Sequence, residues 1–410
     1  MKRFDIIDGM RGYFLVFMLI NHLIFAGGYW LVKINHNQLA FVEDAQGFVF
    51  LSGLLIGMVY AKKMLKNGYA AGRAAIYTRA FELYRYAMGI VLVVMAAQMI
   101  LPGAYTIWFN WLGYTTFDDP LRLAAIASFL YQPTFMDILP QYIVYMLFAP
   151  MLVKLVLEDK WHYVIAGSVI LWMAAQLGLQ QIVTTPLNDL VMGADDQGVR
   201  VSFNLLGWQI VFYSALVLGA LTSAGKIDWK TILSPDNTFI PKAALVLVLF
   251  FLPLRLITAH ELMPPHMIGK FASMEIRADF GPVYLLNFAS VALLATWLIV
   301  AGPKHKALWV RRIAGALTWV FSLKYLQLLG RHSLYVYVWH VAIVYLVYYF
   351  DGRTPELSQF TKTVIALVSI ALLSIPALWR ERDRLFGTPA PQPVKAQQPK
   401  PANQQQMIIR

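Results

Sequence analysis

The feature that most constrains this chain is a series of long apolar segments that recurs along almost its whole length. Each segment is long enough for a helix to cross about 30 Å of hydrocarbon. In lipid the backbone must satisfy its own hydrogen bonds, which favours helices. Of the 410 residues, 59% are hydrophobic and only 14% are charged, whereas soluble domains carry about 25% charged residues. We therefore predict an all-α, polytopic helical bundle in a membrane.

The hydropathy pattern predicts about ten membrane spans. They cover residues 12–32, 44–61, 83–102, 138–157, 163–182, 205–224, 243–260, 281–301, 333–350 and 362–379. The first is too long for a cleaved signal peptide, and we find no small-residue cleavage site before the second. We expect residues 1–386 to form one integral-membrane domain. The Pro- and Gln-rich residues 387–410 are predicted to form a disordered cytosolic tail.

Charge orients the predicted bundle. When the spans are laid out in order, most of the 34 Lys and Arg residues fall on the side of the N-terminus, and the acidic residues favour the other side. The positive-inside rule then places both termini in the cytosol, and we expect a bacterial inner membrane, with which the absence of Cys is consistent. The net charge of +12 is therefore mainly a topology signal, and we expect no nucleic-acid partner. The absence of Cys excludes disulfides, Cys nucleophiles and thiolate metal sites.

His22 is the most informative polar residue inside a predicted span, because titratable side chains within a bilayer are costly and usually functional. It lies about ten residues into the first span, and Asn21 precedes it. Arg11 lies three helical turns earlier on the same face, roughly 16 Å away along the axis, and Asp8 is placed to pair with Arg11. A neutral imidazole suits a general base at low dielectric. A hydrogen bond that only packs two helices is the alternative.

A second histidine, His340, lies at a similar depth in the ninth span. That span is rich in Tyr and Trp, so His340 could bond a tyrosine for packing as readily as it could act in catalysis. The residue pattern leaves both roles open.

Basic residues collect on the predicted cytosolic side. Arg79, Glu82 and Arg85 recur every three residues and share one helix face, where an arginine fork suits a phosphate. The lysines before them fit an ordinary positive-inside loop. Residues 304–331 form another basic surface, which fits an amphipathic helix on anionic lipid at least as well as a ligand site.

The far side is acidic and aromatic. Its polar residues fit contacts to a sugar or another polar acceptor, and they are Glu43, Asp44, Gln46 and Asp137. The segment GFVFLSGLLIG, which follows them, has small residues that allow close helix contact. Aromatic residues line the predicted rim as an interfacial belt or as stacking faces for sugar rings, and they are Trp30, Trp108, Trp111 and Tyr114. We find no P-loop, GxSxG or HExxH motif and no metal-ligand spacing, so no metal is expected.

Several segments together carry a family resemblance, in order from about residue 3 to residue 350. They are RFDIIDGMRG with NH in the first span, GFVFLSGLLIG, YTRAFELYR, DILPQYIVYMLFAP, GPVYLLNFAS and LGRHSLYVYVWH. The chain resembles the OpgC-type membrane acyltransferases. More distantly it is similar to the acyltransferase-3 group and the lysosomal heparan N-acetyltransferase, which share the Asp-x-x-Arg-Gly start of the first span.

The resemblance implies transfer of a succinyl group from cytosolic acyl-CoA to hydroxyls of periplasmic glucans, with acyl-CoA as a co-substrate and no tightly bound cofactor. It implies a catalytic role for His22 with Arg11, and it aligns His340 with a family histidine. Basic family positions correspond to Arg79 and Arg85. Arg331, Ser333 and Asp137 fall within matched motifs. The chain departs from the pattern at Gln46, Tyr86 and Asn287, where the family commonly has an acid, a His and a His.

Other functions fit the sequence as well. One alternative is an O-acetyltransferase acting on another envelope polysaccharide. Another is a carrier of sugars or lipid-linked sugars, although we see neither repeat halves nor paired broken spans, which many carriers have. Expected partners are acyl-CoA, periplasmic glucan and membrane lipid. The sequence leaves open a homodimer formed through lipid-facing helices.

Overall fold

The computed structural model describes residues 5–193 and 195–385, and these form a helical bundle. Within those two ranges the only β-type pairing is one isolated bridge. The predicted tail, 387–410, lies outside the described residues. The helices of eight or more residues are α1 (Asp5–His22), α2 (Asp44–Ile100), α3 (Pro120–Ala127), α4 (Ile138–Leu157), α5 (Trp161–Gln176), α6 (Gln181–Leu190), α7 (Leu205–Ser223), α8 (Phe239–Ala259), α9 (Pro265–Ala272), α10 (Pro282–Val300), α11 (Leu308–Phe321), α12 (Lys324–Arg331), α13 (Ser333–Asp351), α14 (Gln359–Leu372) and α15 (Ile375–Leu385).

Seven of the described helices are long and apolar enough to cross a membrane, and up to nine if the bent pairs α5–α6 and α11–α12 each count as one span. The ten predicted spans differ from these candidates in three places: two of them fall within α2, the first (12–32) is not among the candidates, and α11–α12 was not predicted as a span. The helical path of α2 breaks at Gly68, where φ is 81° and ψ is 164°, a conformation open mainly to glycine. Tyr60 and Arg79, on opposite sides of this break, line the same cavity. The two halves of α2 therefore lie side by side.

The first predicted span, 12–32, is wrong in its bounds. Helix α1 ends at His22, and the chain continues through a loop into a 3₁₀ turn at Trp30–Ile34. His22 is therefore the last residue of a helix and not a residue in its middle. Its ring contacts Phe135, which precedes α4, and His340 of α13.

Helix α12 packs directly on α1, although its sequence, in the basic segment 304–331, suggested a surface position on lipid. The two backbones approach closely: a Cβ at Gly12 would lie 1.9 Å from the carbonyl oxygen of Leu326, and one at Gly330 would lie 1.7 Å from that of Asp8. Only residues without a side chain allow this spacing. The α12 part of the segment is thus a buried partner of α1.

Close packing also joins α2 to α7. A Cβ at Gly53 would lie 2.3 Å from the carbonyl oxygen of Phe212, which confirms the close contact predicted from GFVFLSGLLIG. Of the four aromatic residues predicted to line the rim, two are exposed and two are not. Trp30 and Tyr114 are exposed, but Trp108 and Trp111 are buried in the core.

Candidate active site

Two cavities adjoin inside the bundle, and each gathers a different set of polar residues. The histidine cavity, about 380 Å³, is lined by residues that include Asn21, His22, Glu43, Asp44, Asp137 and Arg277. The arginine cavity, about 180 Å³, is lined by residues that include Arg11, Ser52, Tyr60, Arg79, Tyr142 and Ser333. Ile138 lines the first and Leu139 the second. Because these are consecutive residues of α4, the wall between the cavities is thin.

His22, which lines the histidine cavity, contacts His340, although 318 residues separate them in the chain. Nδ1 of His22 lies 3.1 Å from Nε2 of His340. His340 is fully buried, and its Nδ1 bonds to the backbone carbonyl of Tyr337. A carbonyl can only accept, so Nδ1 of His340 carries a proton, and Nε2 of a neutral His340 accepts one from His22. The lone pair of His22 is then on Nε2.

Phe135 packs against one face of the His22 ring. The two rings stack with centroids 4.2 Å apart. Phe135 has a φ of 68°, in the left-handed region that non-glycine residues rarely adopt. Its carbonyl accepts a hydrogen bond of 2.8 Å from the Tyr337 hydroxyl. The same helix, α13, therefore orients His22 through His340 and through Phe135.

Carboxylates surround the histidine cavity in defined hydrogen bonds. Asn21 and Asn35 both donate to Oδ2 of Asp44, at 2.6 Å and 3.3 Å. Nε of Arg277 donates to both carboxylate oxygens of Glu43, each at 2.7 Å. Burial raises the pKa of Asp137, just before α4, and so favours its neutral form. This cavity offers carboxylates, amides and one guanidinium, groups that commonly bind sugar hydroxyls.

The arginine cavity is mainly apolar with a cationic rim. Arg11 lies over the Phe48 ring at 5.4 Å, and its buried Nε makes no hydrogen bond to any residue that the structure describes. Arg79 also lines this cavity, and its Nη1 donates to Glu82 at 2.6 Å. Such guanidinium groups suit an anionic or strongly polar ligand.

The predicted site residues divide between the two cavities and their surroundings. His22, Asn21, Glu43, Asp44 and Asp137 line the histidine cavity, and Arg11, Arg79 and Ser333 line the arginine cavity. His340 does bond a tyrosine, through the backbone carbonyl of Tyr337, and it also bonds His22, so both of the roles considered for it stay open.

Five predicted residues line neither cavity: His340, whose bonds are given above, and four others. Arg85 is exposed, and Arg331 pairs with Glu381 at 3.5 Å. Gln46 is buried, and its Oε1 accepts from the backbone N–H of Glu43 at the start of α2. Asp8 is buried where α1 meets α12.

Sequence reasoning missed Arg277, Phe135 and Tyr337. Arg277 lies in a loop without a motif, and its only signal was a cation on the acid-rich side of the predicted bundle. Phe135 and Tyr337 look like ordinary membrane aromatics. Among the described residues, no group of three or more His, Cys, Asp or Glu side chains is placed to hold a metal ion.

Comparisons with known proteins give one match. A family model described as OpgC protein matches residues 2–385, nearly the whole chain. No curated protein and no solved structure matches the chain.

Proposed function

Because the chain belongs to the OpgC protein family, we propose that it transfers a succinyl group from cytosolic acyl-CoA to a hydroxyl of a periplasmic glucan. Family membership supports an acyltransferase of the glucan succinyltransferase type. The seven to nine apolar helices support a membrane protein. The donor, the base and the direction across a bacterial inner membrane are parts of the proposal.

One observation carries the proposal: an arginine-lined cavity and a histidine-lined cavity are lined by consecutive residues of α4, and His22 of the second cavity bonds His340. Acyl transfer across a membrane requires a donor site and an acceptor site that share one reacting point. The arginine cavity is the donor side, because coenzyme A is polyanionic. The histidine cavity is the acceptor side, because its carboxylates and amides suit sugar hydroxyls.

Acyl-CoA binds with its phosphates outside the bundle, since about 180 Å³ is too small for its nucleotide and admits only the inner part of the pantetheine arm. Arg79 lies at the rim, where phosphates arrive, and Arg11 lies deeper. The charge asymmetry of the sequence assigns this rim to the cytosol. The thioester carbonyl then reaches the wall between the cavities.

His22 acts as the general base in this mechanism. Its Nε2 takes the proton of a glucan hydroxyl, and the hydroxyl oxygen attacks the thioester carbonyl carbon. The carbon–sulfur bond breaks, the ester forms, and the coenzyme A thiolate leaves with the proton that His22 returns. The bond from Nδ1 to His340 fixes the tautomer and stabilises the transient imidazolium, as the orienting residue of a catalytic triad does.

The test is release of free coenzyme A by the purified protein from succinyl-CoA and acetyl-CoA, with and without periplasmic glucan. We expect glucan-dependent release that prefers succinyl-CoA, and a loss of roughly 10²- to 10⁴-fold in His22→Ala. His162→Ala is the matched control, because His162 is exposed on α5 and lines neither cavity. It should retain wild-type turnover.

Two results contradict the proposal. If no donor turns over with any glucan, the protein is not this transferase, and transport of glucans or lipid-linked sugars becomes the function to assay. If His22→Ala turns over like wild type, His22 is not the base.

A further inference from the structure

Arg277 is the cation of the histidine cavity, and the mechanism above gives it no role. It precedes α10, and its side chain is 53% exposed. Nε is occupied by both oxygens of Glu43. The terminal nitrogens, Nη1 and Nη2, hydrogen-bond to none of the residues in the described ranges. Glu43 thus binds the guanidinium through Nε alone and leaves the fork formed by Nη1 and Nη2 open.

The direction of the acyl chain leads to this fork. Coenzyme A occupies the arginine cavity in the proposed function, and its thioester carbonyl must lie beside His22. The chain beyond the carbonyl points away from the sulfur, and therefore into the histidine cavity. A succinyl chain ends in a carboxylate, which needs a cationic or hydrogen-bonding partner where it is removed from water.

The other charged groups in this cavity are acids, and each is already paired or made less anionic. Asp44 accepts from Asn21 and Asn35. Burial raises the pKa of Asp137, which weakens its repulsion of a second carboxylate. Glu43 is bound to Nε of Arg277. The open guanidinium fork is the group in the cavity that complements a carboxylate in charge and in bidentate geometry.

We propose that Arg277 binds the distal carboxylate of a dicarboxylic acyl donor and so selects succinyl over uncharged acyl groups. This inference rests on the proposed function. It places the residue that selects the acyl donor in the histidine cavity, although acyl-CoA enters through the arginine cavity. Arg11 is the alternative cation, but it lies on the coenzyme A side of the thioester and should affect all donors alike.

The experiment compares succinyl-CoA with butyryl-CoA, which has the same four-carbon chain and a methyl group in place of the carboxylate. In Arg277→Gln, kcat/KM for succinyl-CoA should fall by about 10- to 100-fold, the usual effect of losing hydrogen bonds to a charged group. Turnover of butyryl-CoA should stay the same or rise. Arg277→Lys keeps the charge but lacks the fork, so its kcat/KM for succinyl-CoA should lie between those of wild type and Arg277→Gln.

Arg255→Gln is the matched control. Arg255 also has an acidic partner, Glu275 at 3.6 Å, and donates from Nε to the Asn37 carbonyl at 2.7 Å. Arg255 itself does not line the histidine cavity, although Asn37 does, so this control also separates loss of support for the cavity wall from loss of the Arg277 fork. Loss of Arg255 should leave the succinyl-to-butyryl ratio unchanged.

The outcomes separate this inference from the proposed function. An equal fall for both donors in Arg277→Gln and Arg277→Lys makes Arg277 a structural residue and overturns the inference. If Arg277→Gln turns over succinyl-CoA with an unchanged succinyl-to-butyryl ratio, the inference is also wrong, but the proposed transferase function is unaffected. If wild type turns over neither donor, the proposed function fails first and the inference falls with it.

Discussion

The arginine cavity and the histidine cavity share a wall but differ in how their polar groups are paired. In the histidine cavity, Asn21, His22, Glu43, Asp44 and Arg277 all form hydrogen bonds to other side chains. In the arginine cavity, the buried Nε of Arg11 forms none within the described chain. Both cavities keep donors that a ligand can satisfy, Nε of Arg11 in the smaller and the terminal nitrogens of Arg277 in the larger, but the larger one also has a preorganised set of side-chain hydrogen bonds.

This difference matches the two tasks in the proposed reaction. An unpaired buried donor costs about 1 to 3 kcal/mol, which a bound anionic ligand can recover. A fixed set of hydrogen bonds around a base keeps it in one geometry while charge develops. We conclude that binding energy belongs mainly to the arginine cavity, and chemistry and selectivity to the histidine cavity. The predictions below test that division.

The largest effect on kcat is expected from substitution of His340. His340→Leu removes the acceptor for Nδ1 of His22, so we expect kcat to fall roughly 10²-fold or more with little change in KM for acyl-CoA. His340→Gln can accept that hydrogen bond through its amide oxygen and should recover part of the rate. Steady-state kinetics over a range of pH measures both. Equal rates for the Leu and Gln variants would show that His340 only fills space.

Arg11 should affect binding and not selectivity. Arg11→Met should raise KM for succinyl-CoA and butyryl-CoA by the same factor, about 30-fold or about 2 kcal/mol. The contrast with Arg277→Gln, which should affect one donor, is the direct test of the two-cavity division. A change at Arg11 that affects succinyl-CoA alone would move the carboxylate site to the arginine cavity.

The loop after His22 should contribute stability more than chemistry. Lys362 is fully buried and donates to the carbonyls of Ala26 and Gly28, and the Ala26 N–H donates to Asp351 at 2.9 Å. Lys362→Met leaves these carbonyls unpaired and should lower the free energy of unfolding by about 1 to 3 kcal/mol. Thermal unfolding in detergent measures this. The succinyl-to-butyryl ratio should not change, and a changed ratio would connect this loop to selectivity.

The smallest effect on turnover at neutral pH is expected from the loop that carries Asp195. Arg122 and Asp195 are both buried and lie 2.6 Å apart. Burial acts to raise the pKa of Asp195, but hydrogen bonds from the Tyr114 and Gln197 N–H groups and the charge of Arg122 outweigh it, so the pKa is lowered. A lowered folded-state pKa stabilises the fold above the ordinary Asp pKa, about 3.9, and that contribution is lost as the pH falls through the folded value.

The stability difference between wild type and Asp195→Asn should therefore be constant from neutral pH to about pH 5 and shrink below about pH 4. Unfolding midpoints measured across this range provide the check. A difference that grows on acidification would have the opposite sign and would show that Asp195 is protonated in the folded protein.

The local part of the architecture was predictable from the sequence. The bounds of α4, α7 and α13 fall within one or two residues of the predicted spans, because in lipid an apolar run of sufficient length must satisfy its backbone as a helix. The segment between the two predicted spans of α2 was interpreted as a loop, because hydropathy does not distinguish a loop from a helix that breaks at one residue, here Gly68. The α11–α12 pair was missed as a candidate span because its cations and amphipathic pattern suggested a surface helix.

The candidate site was predictable residue by residue, but its arrangement was not. The sequence by itself determined that His22, Arg11 and several acids are too costly in a membrane to be incidental, since that cost depends only on residue type and local hydropathy. Tertiary structure alone decided that His22 bonds His340, that Arg277 joins Glu43, and that two cavities adjoin. These contacts link residues more than 200 positions apart, and their geometry depends on how helices pack, which no local pattern encodes.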